Sequence, residues 1–339
     1  MKIGVFGAGS WGAALSMLLS GKGNTVYLWS NDPAEADKIR KTRRLVHKLP
    51  EFTVPKEIIV THEASQFLEE ADLLVVAVPS KVLPSFARSM ARKIGGKPKI
   101  VVSATKGLEA DSIATMSEIL EEHWCSSPGP ADRPIQGVVA LSGPSHAEEV
   151  VREMPTAVVS AHPNRALACQ VQEIFQTSRF RVYTNDDRRG VEIGAALKNV
   201  IAIAVGISDG LGFGDNARAA LISRGLYELS IAGRALGAMP ETFSGLSGLG
   251  DLVVTCTSRH SRNRRYGELI AKGYPPDEAE EEVGMVVEGV TTASVIPVLK
   301  KQYGLELPIS EEVYSILFHR ADPKTAVERL MLRERKPEI

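Results

Sequence analysis

Two lysines, an aspartate and a short basic cluster are the residues whose settings in this chain suggest chemistry. Ala195-Ala196-Leu197-Lys198-Asn199-Val200 places Lys198 in an otherwise apolar, helix-like stretch. An ammonium there is costly to bury unless it finds a partner or its pKa falls. A lysine so placed can serve as a general acid or base near neutrality. The alternative is a lysine whose methylenes carry its charge out to solvent. Asp251, framed by Gly250 and Leu252, could orient a lysine or a substrate hydroxyl, or simply cap a helix. Ser261-Arg262-Asn263-Arg264-Arg265 suits a phosphate. A guanidinium forks onto phosphate oxygens, and the Asn263 amide adds a donor. The alternative is an ordinary solvated charge run. The seven histidines, His47, His62, His123, His146, His162, His260 and His319, show no HxxxH spacing, so no metal is expected.

Gly7-Ala8-Gly9-Ser10-Trp11-Gly12 is a GxGxxG run between a strand-like and a helix-like segment. In that context it predicts a dinucleotide-binding turn. Gly7 allows the tight turn, Gly9 lets a pyrophosphate approach the backbone, and Gly12 lets helix and strand pack closely. The helix start offers free N–H groups and a positive dipole end, and Ser10 is placed to cap it. The residues after the second strand, Ser30, Asn31 and Asp32, bear on the choice of cofactor. Asp32 would take a ribose 2′-hydroxyl, as NAD requires, or would cap the next helix. Arg40, Arg43 and Arg44 could reach the 2′-phosphate of NADP. Val78-Pro79-Ser80 suits the lip of a cofactor cleft. Lys106, in Ala104-Thr105-Lys106-Gly107-Leu108-Glu109, follows a strand and falls at the sheet's carboxyl edge, where open α/β folds bind ligands. Ser145, in Leu141-Ser142-Gly143-Pro144-Ser145-His146-Ala147-Glu148, could cap a helix and face a phosphate or nicotinamide.

These residues need a scaffold, and the apolar patterning supplies one. Strand-like runs occur at Lys2–Phe6, Thr25–Trp29, Ile58–Val60, Leu73–Val78, Ile100–Val102, Val138–Leu141, Ala157–Val159 and Phe180–Tyr183. Helix-like stretches lie between most of them, which predicts a parallel, doubly wound Rossmann-like sheet. Cys125–Pro134 reads as a surface loop. After the polar stretch from Asn185 to Gly190 the pattern turns helical, at Val191–Ile207, Asn216–Leu236, Arg265–Lys272, Thr291–Tyr303 and Ser310–Phe318. Glycine-rich loops are expected at Gly206–Gly214 and Ser244–Gly250. The expected fold is an α/β cofactor domain over residues 1–187 and an all-α substrate domain over residues 188–339.

The 339 residues suit two domains at roughly 150 residues each. A formal net charge of -1 gives no global basic field for nucleic acid, so an anionic substrate needs a local cationic cluster. The three cysteines, Cys125, Cys169 and Cys256, form no CxxC pair and suggest a reducing compartment. No apolar run approaches the ~20 residues of a membrane span, and the chain opens at once on a strand. A cytoplasmic protein, with a homodimer as one option, is expected.

Six motifs in order carry a resemblance that covers the chain to about Tyr314. GAGSWG at Gly7–Gly12, ATKGLE at Ala104–Glu109, SGPSHAEE at Ser142–Glu149, LKN at Leu197–Asn199, GLSGLGDLVVTC at Gly245–Cys256 and SRNRRYG at Ser261–Gly267 resemble NAD(P)-dependent sn-glycerol-3-phosphate dehydrogenase of the bacterial type. The resemblance implies interconversion of sn-glycerol 3-phosphate and dihydroxyacetone phosphate with NAD(P)H, which supplies glycerophospholipid synthesis. It also implies roles. Lys198 would be the proton acceptor. Lys106, Gly143, Ser145, Asp251, Ser261, Arg262 and Asn263 would hold the substrate, while Ser10, Trp11, Lys106, Ala147, Arg262, Val286 and Glu288 would contact the cofactor. Asn31 stands where many members carry a basic residue that helps bind the 2′-phosphate. The rival readings are another two-domain hydroxy-acid or ketopantoate-type dehydrogenase and a cofactor-sensing protein without chemistry. The SRN cluster argues for a phosphate over a carboxylate, and intact Lys106, Lys198 and Asp251 argue for chemistry.

Overall fold

A computed structural model describes residues 1–46, 48–125, 135–335 and 337. His47 and most of the expected loop Cys125–Pro134 lie outside the described residues. Ten strands occur in order among the described residues: β1 Lys2–Phe6, β2 Thr25–Trp29, β3 Arg44–Leu45, β4 Leu49–Thr53, β5 Ile59–Thr61, β6 Leu73–Val76, β7 Lys99–Ser103, β8 Ile135–Ser142, β9 Thr156–Ala161 and β10 Phe180–Asn185. Eight of them form one sheet in the order β10-β9-β8-β7-β6-β1-β2-β5. The central strands β1, β6 and β7 are apolar along most of their length and buried, as parallel strands covered on both faces must be. From β1 the chain builds outward through β2 to β5, then returns to the other side of β1 with β6. That reversal opens a crevice at the carboxyl edge between β1 and β6.

Two details depart from the expected sheet. β9 runs antiparallel to β8, with Leu141 opposite Ser160. The connection between them carries a single helical turn, Ala147–Val150, instead of a full crossover helix, so the chain doubles back. The doubling back leaves Ser145 and Ala147 at the crevice, with Gly143 just behind them. β3 and β4 form a separate small hairpin. A two-residue strand shows no alternation, which is why the sequence did not announce it.

The second half is organised around the helix Arg188–Gly210, 23 residues long and buried over most of its length. It has the length and apolarity of a membrane span, but its apolar window is wholly packed inside the protein. Asp187 caps it, accepting from Gly190 N at 2.9 Å. The expected loop from Gly206 starts later, because Gly206 and Gly210 belong to this helix. Both sit where the helix Arg262–Ala271 crosses too closely to leave room for a side chain. A Cβ on Gly206 would stand 2.0 Å from Arg264 O, and one on Gly267 2.2 Å from Ile203 O. The expected helix Thr291–Tyr303 is two, Glu288–Ala293 and Ile296–Tyr303. Pro297 lacks an N–H to donate and fits only a first turn. Ser244–Gly250 tightens into a π-helical turn, Leu246–Gly250, leading straight into the helix Asp251–Thr257.

Candidate active site

The glycine turn, the strand ends and the helical half enclose one cleft of about 1410 Å³. Gly7 has φ +110, and a Cβ there would stand 2.5 Å from Ala77 O. A Cβ on Gly12 would stand 1.9 Å from Gly7 O. Gly9 is different, since a Cβ there would meet nothing within 4 Å. Its backbone therefore presents an open face at the start of the helix Ser10–Gly21, whose N-cap is Gly9. This is a fit for a dinucleotide pyrophosphate, with free amides, a dipole end and room. Ser10 does not cap the helix as expected. Its hydroxyl donates to Lys48 O at 2.7 Å, tying the turn to the β3–β4 hairpin. Trp11 Nε1 is buried without a partner. Asn31 is exposed at the cleft rim. Asp32 caps the helix Pro33–Thr42, accepting from Ala34 N at 2.9 Å. Arg40, Arg43 and Arg44 do not line the cleft: Arg40 pairs with Asp37, and Arg43 donates to Ile58 O.

At the opposite end of the cleft three charges meet. Lys198 Nζ donates to Asp251 Oδ1 at 2.5 Å and to Thr255 Oγ1 at 2.7 Å. Lys106 Nζ donates to Asp251 Oδ2 at 2.8 Å and to Gly143 O at 3.1 Å. One buried carboxylate thus holds both ammoniums, one on each oxygen. Burial, with Lys106 as a second contributor, brings the Lys198 ammonium down to about 8, although Asp251 pulls it upward. Burial pushes the Asp251 carboxyl upward, but the two lysines outweigh it and hold the group below the usual carboxylate range. Lys198 can therefore exchange a proton near neutral pH while Asp251 stays ionised. His146 lines the same end, and burial together with the Lys198 charge lowers its pKa to about 4. It is a neutral ring, with Nε2 unpartnered.

Between these ends stands the SRN cluster. Ser261 caps the helix Arg262–Ala271 through Arg264 N at 3.2 Å. Asn263 is committed inside, donating to Asn199 Oδ1 at 3.0 Å and accepting from Gly289 N at 2.9 Å. Arg262 keeps its guanidinium toward the cleft, with one bond to Val286 O at 3.1 Å. Arg265 points away and lies beside Glu282. Glu288, from the helical half, reaches Ser80, accepting from its amide at 3.1 Å and from its hydroxyl. Burial raises the pKa of Glu288 and lowers that of Arg262.

The cleft brings together Gly7, Gly9, Ser10, Trp11, Asn31, Lys106, Ser145, Ala147, Lys198, Asp251, Ser261, Arg262, Asn263, Val286 and Glu288. Gly12 and Gly143 stand behind its wall and shape it. Gly143 has φ +136, with Val158 Cα 2.9 Å from where a Cβ would be. Ser145 does not cap a helix but donates to Gly143 O at 2.9 Å. Sequence reasoning missed Thr255, Glu35 and Lys48. Thr255 follows Asp251 by one helical turn, a spacing that could have flagged it.

Sequence and fold are shared with one family of known proteins. The family profile for the NAD-dependent glycerol-3-phosphate dehydrogenase N-terminus matches residues 2–168, and the profile for its C-terminus matches residues 187–328. The chain is 47% identical over 340 residues to a glycerol-3-phosphate dehydrogenase (NAD(P)+) of Fusobacterium nucleatum, covering 100% of this chain and 99% of that one. It is 46% identical over 337 residues to that of Enterococcus faecalis, with 99% and 97% covered. The crystal structure of glycerol-3-phosphate dehydrogenase from Coxiella burnetii superposes with a TM-score of 0.91 at 36% identity, covering 98% of this chain and 99% of that one.

Proposed function

The chain belongs to the NAD-dependent glycerol-3-phosphate dehydrogenase family, and on that premise we propose how its cleft performs the family's reaction. It is an oxidoreductase that interconverts sn-glycerol 3-phosphate and dihydroxyacetone phosphate with NAD(P)+ or NAD(P)H, a reaction that supplies the glycerophospholipid backbone. The observation that carries the proposal for the site is the single carboxylate of Asp251 holding Lys198 and Lys106 together.

The Gly7–Gly12 turn and the helix start behind it would hold the pyrophosphate of a dinucleotide, and Asn31 would stand toward its adenosine end. Ala147, Arg262, Val286 and Glu288 line the cleft and would face the nicotinamide half. A nicotinamide held there would supply hydride transfer to or from C2 of the substrate. Lys198 takes the C2 hydroxyl proton onto Nζ during oxidation, and gives it back during reduction. Its lowered pKa lets both forms exist near pH 8. Lys106 donates to the C2 oxygen and stabilises charge that develops there. Asp251 keeps both amines on one side of the substrate, and Thr255 fixes the direction of Lys198. Arg262 takes the phosphate, supported by the free amides of its own helix start, where Ser261 and Asn263 hold the backbone in place. Neutral His146 adds no charge to the site.

A cytoplasmic homodimer completes the proposal. Phe213 and Tyr227, exposed beside and on the helix Asp215–Ala235, offer apolar surface for such a contact, which light scattering tests. The reaction itself is tested at the nicotinamide absorbance with dihydroxyacetone phosphate and NADH or NADPH. Consumption of either dinucleotide that depends on the ketone is expected. A folded chain that oxidised neither would contradict the reading.

A further inference from the structure

The structure assigns the choice between NADH and NADPH to Glu35, a residue that neither the glycine fingerprint nor the end of β2 points to. This inference rests on the dehydrogenase reading and extends it to the adenosine end of the cleft. A Rossmann-type site that prefers NAD carries an acid near the end of the second strand, where it accepts from the ribose hydroxyls and repels a 2′-phosphate. Asp32 holds the expected sequence position but is spent: it is exposed, and its carboxylate caps the helix Pro33–Thr42. Glu35, in the first turn of that helix, lines the cleft instead.

Its two oxygens are placed with care. Oε2 accepts from Ser30 Oγ at 2.6 Å, at the end of β2. Oε1 accepts from Lys48 Nζ at 2.5 Å, and the same ammonium reaches Ala8 O at 3.1 Å in the glycine turn. The Glu35 carboxylate is therefore fixed between the end of β2 and the turn that would cradle a pyrophosphate. A ribose attached to that pyrophosphate would bring its hydroxyls toward this corner. A carboxylate there accepts from both. A 2′-phosphate would set two negative groups side by side, and like charges so placed are strongly unfavourable. Lys48 is already paired with Glu35, and Arg40, Arg43 and Arg44 do not line the cleft.

Two consequences separate this assignment from a purely structural Glu35. Glu35→Gln keeps the shape and the bond to Ser30 but removes the charge. It also frees Lys48 to meet a 2′-phosphate. NADPH affinity should therefore rise, and Lys48→Ala added to Glu35→Gln should cancel that rise.

The test is direct binding to the full chain, without substrate, of NADH, NADPH and the fragments 5′-AMP and 2′,5′-ADP. Wild type should bind NADH more tightly than NADPH. Glu35→Gln should bind NADPH and 2′,5′-ADP about tenfold or more tighter than wild type does, and NADH and 5′-AMP no tighter. The double variant should fall back. An unchanged NADPH-to-NADH ratio in Glu35→Gln, with NADH still bound, would overturn the assignment alone. A folded chain that bound neither dinucleotide would overturn the dehydrogenase reading and the assignment together.

Discussion

Lys198 and Asp251, 53 residues apart in the chain, meet at 2.5 Å in the base of the cleft, and the second oxygen of the same carboxylate takes Lys106. The aspartate is what allows two ammoniums to share a desolvated pocket. It raises the pKa of Lys198, against burial and Lys106, which lower it. Asp251→Asn removes the raising influence, so the pKa of Lys198 should fall below about 8. The rate of ketone reduction should then decline at lower pH than in wild type, by about one unit or more. A pH series of kcat for reduction checks this, and an unmoved basic limb would show that Asp251 does not govern Lys198.

Arg262 is the cation of the SRN cluster that faces the cleft, since Asn263 is bonded inside and Arg265 points outward. Arg262→Ala should raise KM for dihydroxyacetone phosphate far more than it raises the Kd of the dinucleotide. Loss of a charge-assisted bond from such a site costs roughly 2–5 kcal/mol. An unchanged KM would make Arg262 an ordinary surface residue.

The crossing of the two helices behind the site depends on an absent side chain. A Cβ on Gly267 would stand 2.2 Å from Ile203 O and 2.7 Å from Ile207 N, both backbone atoms that cannot turn aside. Gly267→Ala should force the helices apart and lower stability by roughly 1–3 kcal/mol or more. Gly21→Ala is the control, because a Cβ there would meet nothing within 4 Å. Thermal denaturation should show a fall in Tm for the first and none for the second.

Much of this arrangement was legible in the residues. The turn at Gly7–Gly12 is local, and its strand and helix neighbours carry strong apolar signals, so its place followed from the sequence. Lys198 stood out because a charge in an apolar helix demands an explanation. Features made by distant segments were not legible. Gly206 looked like a loop residue because a glycine in an exposed helix is unfavourable, and only the backbone of the crossing helix shows why it belongs there. Asp32 and Glu35 are both acids just after β2. Their difference lies in which one the helix cap consumes and which one Lys48 reaches from a hairpin too short to show alternation. The antiparallel β9 was hidden because a buried strand's composition does not record its direction.

The proton moves through Lys198, and kcat for reduction of dihydroxyacetone phosphate across the pH range around 8, in wild type and Lys198→Met, reads that role. Methionine has similar length and is apolar, so the fold should persist, and dinucleotide binding at the Gly7–Gly12 turn reports that it has. Reduction needs the protonated lysine, which is present below its pKa, so the wild-type rate should fall as pH rises through about 8. In Lys198→Met, turnover should drop by roughly 10²–10⁴ and that falling limb should vanish. A variant that binds the dinucleotide, turns over at a near-normal rate and keeps the same limb would contradict the account and pass the role to Lys106.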